Sequence, residues 1–257
     1  MLQLEPLRFS WPDCENDCLH LPKLTIKPGQ HVGLVGDNGA GKSTLIKLIA
    51  GLLQPRRGHV LWQQQAIDKI PAQQRCGLIG ILFQEPENQL LHSRVDNEVN
   101  LVMKQLGWPQ SKIERHRSDI LAQLELTQYA QCHPLDLDAG KRRMVTLASI
   151  AVAQPAILLL DEPSRDFDRH NLALLEQFLA EQRQRGTTII NISHDLEFVA
   201  RNCDRVLHLQ QGKITADGTP VQTLSHPALQ ACTELPSPSL WSLRHQLGLD
   251  RTNNHKD

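Results

Sequence analysis

Three features of the sequence predict an α/β fold built on a parallel sheet. Short apolar runs alternate with helix-spaced segments along most of the chain. A glycine-rich loop lies between a strand-like and a helix-like segment, and the apolar run 156–160 ends in two adjacent carboxylates, Asp161 and Glu162. A chain of 257 residues, 40% of them hydrophobic, has the length for one large core carrying an inserted subdomain.

Taken in order, residues 1–35 read as strands joined by polar turns. The opening MLQLEPLRFSWPD alternates, Lys27-Pro28-Gly29-Gln30 is a turn, and His31–Val35 is a short buried strand. After the glycine loop, residues 42–50 carry Leu45, Ile46, Leu48 and Ile49 at helical spacing, with Gly51 at the C-cap and Pro55 beyond. Residues 77–83, GLIGILF, are read as another apolar strand. From Pro86 to about Pro134 the character is helical, with Ile113, Ile120, Leu121, Leu124 and Leu126 spaced among charges. Residues 141–152 are a helix, 156–160 a strand, 169–184 a helix ended by Gly186, and 187–192 a β-branched strand. Such alternation places helices on the faces of a parallel sheet. The pattern weakens after Pro220, and RTNNHKD at 251–257 reads as a frayed tail. The expected organisation is a core of residues 1–85 and 156–220, a helical subdomain at 86–155 and an extension at 221–257.

The balance of charge excludes some partners. Net charge is −1 and the isoelectric point is near 6.9, so nothing points to nucleic acid or to an anionic membrane surface. The N-terminus lacks the basic-then-apolar pattern of a signal peptide, and no run of eighteen apolar residues occurs, so a membrane role is expected to come through a partner. Six cysteines at 14, 18, 76, 132, 203 and 232 complete no zinc pattern and read as free thiols of a reducing compartment.

The glycine loop is GDNGAGKST, residues 36–44. Gly36, Gly41, Lys42 and Ser43 fit G-x-x-x-x-G-K-[ST], and strand, loop and helix follow in the order that a P-loop requires. The glycines let several backbone N–H groups converge on phosphate, with Asp37, Asn38, Gly39, Ala40 and Thr44 completing the cradle. The following helix adds its positive end. Lys42 is placed to reach the β- and γ-phosphates of ATP, and Ser43 to ligate Mg²⁺. Strand C-termini of a parallel sheet face the ligand crevice, which puts Asp161 beside Mg²⁺ and Glu162 near the γ-phosphate, where it would polarise a water. His194, at the end of the strand 187–192, points at the same crevice; with Glu162 and Lys42 it is a candidate catalytic residue.

In this order, with Gln84 and the segment LDAGK, these motifs resemble those of ABC-type ATPase subunits of transporters, over about residues 4–218. The resemblance implies a P-loop NTPase (RecA-like) core with an N-terminal antiparallel β portion and an inserted α-helical subdomain. It implies ATP and Mg²⁺ as cofactors, a second ATPase subunit, homo- or heterodimeric, and a transmembrane coupling subunit. It also implies a peripheral place on the cytoplasmic face of the membrane. Phe9-Ser10-Trp11-Pro12 is similar to the segment whose aromatic stacks on adenine, which makes Trp11 the platform. Gln84 resembles the glutamine that touches Mg²⁺ and signals to the transport domain, and Asp168 resembles the regular residue of the D-loop. Leu137-Asp138-Ala139-Gly140-Lys141 holds the position of the signature LSGGQ, whose amides and serine bind the γ-phosphate held by the opposite subunit. Here Asp138 replaces the serine, Ala139 the first glycine and Lys141 the glutamine. Asp caps a helix as well as Ser does, so the local fold is expected to survive while the phosphate contact weakens.

Residues 83–91, FQEPENQLL, and Val95–Val99 resemble the energy-coupling-factor subgroup, which takes up vitamins or transition-metal ions; so does the segment 234–249. Three functions are compatible with these motifs: an importer ATPase subunit, a soluble ABC ATPase outside transport, and a nucleotide-dependent regulatory module with weak hydrolysis.

Overall fold

The computed structural model describes residues 1–12, 14 and 16–230. The chain opens with β1 (Leu2–Leu4), β2 (Leu7–Phe9), β3 (Leu19–Leu21), β4 (Leu24–Ile26), β5 (His31–Val35), α1 (Lys42–Ile49), β6 (Val60–Trp62) and β7 (Gln65–Ala66). It continues through α2 (Ala72–Leu78), β8 (Ile79–Leu82), α3 (Val95–Gln105), α4 (Gln110–Gln123), α5 (Ala139–Ala151) and β9 (Ile157–Asp161). Then come α6 (Arg169–Gln184), β10 (Thr188–Ile192), α7 (Leu196–Asn202), β11 (Arg205–Gln210), β12 (Lys213–Gly218), α8 (Pro220–Leu224) and α9 (Pro227–Gln230).

A six-stranded sheet runs in the order β12-β11-β5-β10-β9-β8. All its pairings are parallel except that of β12, which joins β11 antiparallel at the edge. An antiparallel sheet, β4-β1-β6-β7, and the pair β2-β3 make up the N-terminal portion. The expected α/β architecture is therefore present.

The apolar strands are continuous because both their faces are buried. On β9, Ile157 and Leu159 join one core with α1 and the antiparallel strands, while Leu158 and Leu160 join a second with α3 to α6. Each such side chain contributes roughly 1.5–3 kcal/mol of burial. The strand order brings the C-terminal ends of β5, β10, β9 and β8 side by side, which is the crevice of an open parallel sheet.

One expected element differs. Residues 77–83 do not form a single strand: Gly77 and Leu78 end helix α2, and Phe83 lies past β8. Pro71 is the N-cap of α2, with φ −52° and a non-helical ψ of 140°, and the Arg75 N–H donates to its carbonyl. The polar residues that follow carry no apolar spacing to announce a helix. Phe83 donates its N–H to the Gln89 side chain at 2.8 Å instead of to a neighbouring strand. The segment 234–249 and the tail 251–257 lie outside the described residues. Among the described residues no helix is long and apolar enough to cross a membrane.

Candidate functional site: a cavity at the strand ends

Residues 36–44 leave β5 and enter α1. Gly36 has φ 149°, and a Cβ there would lie 2.0 Å from the Leu209 carbonyl oxygen, so the loop can pass β11 only as glycine. Gly41, the N-cap of α1, has φ 103° and offers no side-chain cap, and no acidic residue stands in the first turn. The first amides of α1 therefore remain available as donors at the positive end of the helix.

Lys42 is 7% exposed, and its Nζ donates to the carbonyls of Gly36 at 2.6 Å and Asp37 at 2.9 Å. The Ser43 hydroxyl donates to Asp161 Oδ2 at 2.8 Å, joining the first turn of α1 to the end of β9. Burial holds the Asp161 carboxyl above its usual range. Glu162 follows with φ 52°, a left-handed backbone that is unfavourable for a residue with a side chain. Its carboxylate accepts the His194 N–H at 3.1 Å, and His194 Nε2 lies 3.5 Å from it. Burial pushes the Glu162 carboxyl up to about 7, with the Asp161 charge acting in the same direction and the His194 N–H opposing.

These groups surround a cavity of about 370 Å³. It is lined by Asn38, Gly39, Gly41, Lys42, Ser43, Thr44, Gln84, Asp161, Glu162 and His194, with Trp11, Cys18 and Ile192. Trp11, on the lining, is 40% exposed and forms a T-shaped pair with Phe9. Gly36, Asp37 and Ala40 lie behind the lining, where the first two hold Lys42 and Ala40 accepts the Gly212 N–H at 3.1 Å. Sequence reasoning passed over Cys18 and Ile192, since neither residue type signals a ligand.

The segment 137–141 and Asp168 do not line this cavity. Asp168 caps α6, accepting the Asn171 N–H at 2.7 Å. Asp138 caps α5, accepting the Lys141 N–H at 2.8 Å, and pairs with the Lys141 ammonium. Hydrogen bonding from that lysine keeps the Asp138 carboxyl below its usual range. Arg143, one turn further along α5, was also passed over. It is 2% exposed and donates to the Glu162 and Gln84 carbonyls. Nothing in its local pattern separates it from its neighbour Arg142.

The model of the ABC transporter family matches residues 19–165, more than half the chain. The chain belongs to the ABC transporter family. It is an ATPase cassette of that family. A Nostoc protein named as an ABC transporter ATP-binding protein is 32% identical, aligned over 95% of this chain and 89% of its own length. A Photobacterium profundum relative is 34% identical across 99% of this chain, but the chain spans only 45% of its length. An Enterococcus faecalis relative is likewise spanned for 44%. Among solved structures, CbiO1 of Clostridium perfringens, part of the ABC transporter complex cbiONQ, superposes with a TM-score of 0.78. That match has 27% identity and covers 95% of this chain and 98% of the other. The dimeric cassette MJ0796, in a post-hydrolysis state with ADP and phosphate, gives a TM-score of 0.78 at 22% identity, over 86% of this chain and 99% of that one, and so shares the fold.

Proposed function

We propose that this chain is the ATP-hydrolysing subunit of an importer, in which ATP-driven closure of a cassette dimer moves a transmembrane partner. The observation that carries this reading is the single cavity in which Lys42, Ser43, Asp161, Glu162, His194 and Gln84 meet. Residues 36–44 bind the triphosphate, with Lys42 exchanging the Gly36 and Asp37 carbonyls for phosphate oxygens, and Trp11 receives the base. Glu162, held by the His194 N–H, orients the attacking water, and His194 faces the γ-phosphate. Asp168 belongs to the turn that meets the partner cassette. Residues 1–85 and 156–220 act as the nucleotide-binding core, 86–155 as the helical subdomain and 221–257 as an extension.

Ser43 Oγ and Asp161 Oδ2, two hard oxygens 2.8 Å apart where the exposed Ser43 meets the buried Asp161, suit Mg²⁺, with Gln84 beside them. Among the described residues no group of three His, Cys, Asp or Glu is set to hold a metal. Mg²⁺ is usually held by one or two carboxylates together with substrate phosphates and water. When bound, the ion neutralises charge on the phosphates.

The likeness to CbiO1, part of an ABC transporter complex, supports a transporter subunit, and the resemblance of residues 83–91 to the energy-coupling-factor subgroup supports uptake of a vitamin or a transition-metal ion. Such a subunit sits peripherally on the cytoplasmic face of the membrane. Asp138 in the signature position supports a dimer whose second cassette differs from this one, because its charge weakens the half-site that this chain would offer. The test is Glu162→Gln in the complex purified from membranes. Hydrolysis should fall at least ~100-fold with ATP binding retained, and a transmembrane subunit should copurify. Unchanged turnover would refute the role of Glu162, and recovery with no membrane protein would refute transport coupling.

A further inference from the structure

The side chain of Arg143 reaches two loops from the second turn of α5. Nη1 donates to the Glu162 carbonyl at 3.1 Å, and Nη2 donates to the Gln84 carbonyl at 3.0 Å. Nη2 also lies 3.6 Å from Asp166 Oδ2. The residue is 2% exposed, and its buried Nε has no hydrogen-bond partner. Stability alone does not favour this arrangement, since a buried charge with an unsatisfied donor is commonly matched or bettered by an apolar side chain of similar size.

The backbone that Arg143 grips is strained. Glu162 and Asp166 both adopt left-handed conformations, with φ 52° and 64°. They sit at the two ends of one short turn, closed by the Arg165 N–H donating to the Glu162 carbonyl at 3.2 Å. Such conformations persist where the surroundings over-determine them. Arg143 supplies that constraint at both ends, holding a carbonyl at Glu162 and facing a carboxylate at Asp166. A planar fork can serve several acceptors in fixed directions, which a lysine ammonium cannot.

We propose that Arg143 is a positioning residue for hydrolysis: it locks the strained turn that aims Glu162 at the cavity and registers Gln84 against it. The assignment rests on the reading of Glu162 as the water-orienting group. It also makes α5 a single rigid link, with Asp138 to Lys141 in its first turn and this chain's own hydrolytic turn gripped one turn later.

The test compares Arg143→Met and Arg143→Lys in the full complex. Methionine keeps a buried stem without leaving a charge unpaired. R143M should lower kcat roughly 10- to 100-fold, the scale set by small misplacements of a reacting group. KM for ATP should stay within about 3-fold, because the P-loop is untouched. R143K should recover part of the loss. Hydrogen exchange should quicken at residues 162–166 and 84–86 while residues 36–44 keep their protection. Wild-type kcat per folded complex in R143M, or full rescue by lysine, would overturn the assignment. If R143M does not fold, R143K carries the same reading, lower kcat at unchanged KM. Glu162→Gln beside them separates the two ideas. An inactive E162Q with a fully active R143M overturns the role of Arg143 alone. An active E162Q overturns the reading of Glu162 and this assignment with it.

Discussion

Replacing Asp138 by serine should speed ATP turnover of the assembled dimer, and the size of the gain follows from the surroundings of Asp138. A carboxylate ~4 Å from a phosphate charge costs on the order of 4 kcal/mol at an effective dielectric of about 20. Two features reduce that cost. The Asp138 side chain is 56% exposed, so water screens it, and the Lys141 ammonium pairs with it, so an incoming phosphate meets a dipole and not a bare charge. Together they leave about 1 kcal/mol of residual repulsion, or roughly a fivefold gain in turnover for Asp138→Ser. Lys141→Gln should act in the opposite direction, because it exposes the carboxylate, and should have little effect once Asp138 is already serine. Steady-state phosphate release from the four combinations, at low and high salt, measures the coupling, and the gap should narrow as salt rises. Melting temperature provides the control. Serine caps α5 as well as aspartate does, whereas Asp138→Ala should cost about 1 kcal/mol. Equal turnover in wild type and D138S, with Lys141→Gln also silent, would refute the idea that this helix end faces a phosphate.

Gly36→Ala should destabilise the fold by at least ~2 kcal/mol, since its Cβ would sit 2.0 Å from the Leu209 carbonyl; a denaturation midpoint equal to wild type would refute this. His31 gives a pH dependence. Burial, with the Arg183 charge adding to it and Asp204 opposing, lowers its imidazole from 6.5 to about 4. A depressed folded-state value means that the unfolded chain binds the extra proton, so stability present above pH ~6.5 is lost as the pH falls toward ~4, by up to about 3 kcal/mol. His31→Leu should flatten urea-denaturation stability between pH 7 and 5, and an unchanged slope would show that another group titrates.

What could be read from the sequence was whatever a short stretch of chain settles by itself. The P-loop was legible because its glycines, lysine and serine are contiguous and flanked by an apolar strand and an amphipathic helix. The strands β5, β9 and β10 fell within a residue of their expected limits because burial on both faces leaves unbroken apolar runs. What was missed depends on distant partners. The helical turn at Gly77 and Leu78 is set by Pro71 and by packing, where a Gly77 side chain would press on Leu106. Apolar composition alone reads the same residues as a strand. The adjacency of β5, β10, β9 and β8, which assembles the cavity, is a property of the sheet and of no single segment.

The two substituents on α5 illustrate why local rules can be satisfied while function changes. A helix N-cap needs only an oxygen that accepts a backbone N–H, and Asp138 meets that need at 2.8 Å. Fold stability therefore does not discriminate between aspartate and serine at this position, and the nearby lysine neutralises the charge for the free chain. The cost appears only when a second anion approaches. One turn further into the same helix the arrangement is reversed: the buried Arg143 adds little to stability, yet it touches the carbonyls of the two loops that flank the cavity. One helix thus carries an exposed change that stability tolerates and a buried charge that stability alone does not call for. Both make sense if α5 serves nucleotide sites on its two sides, and the paired variants at 138 and 143 test those sides independently.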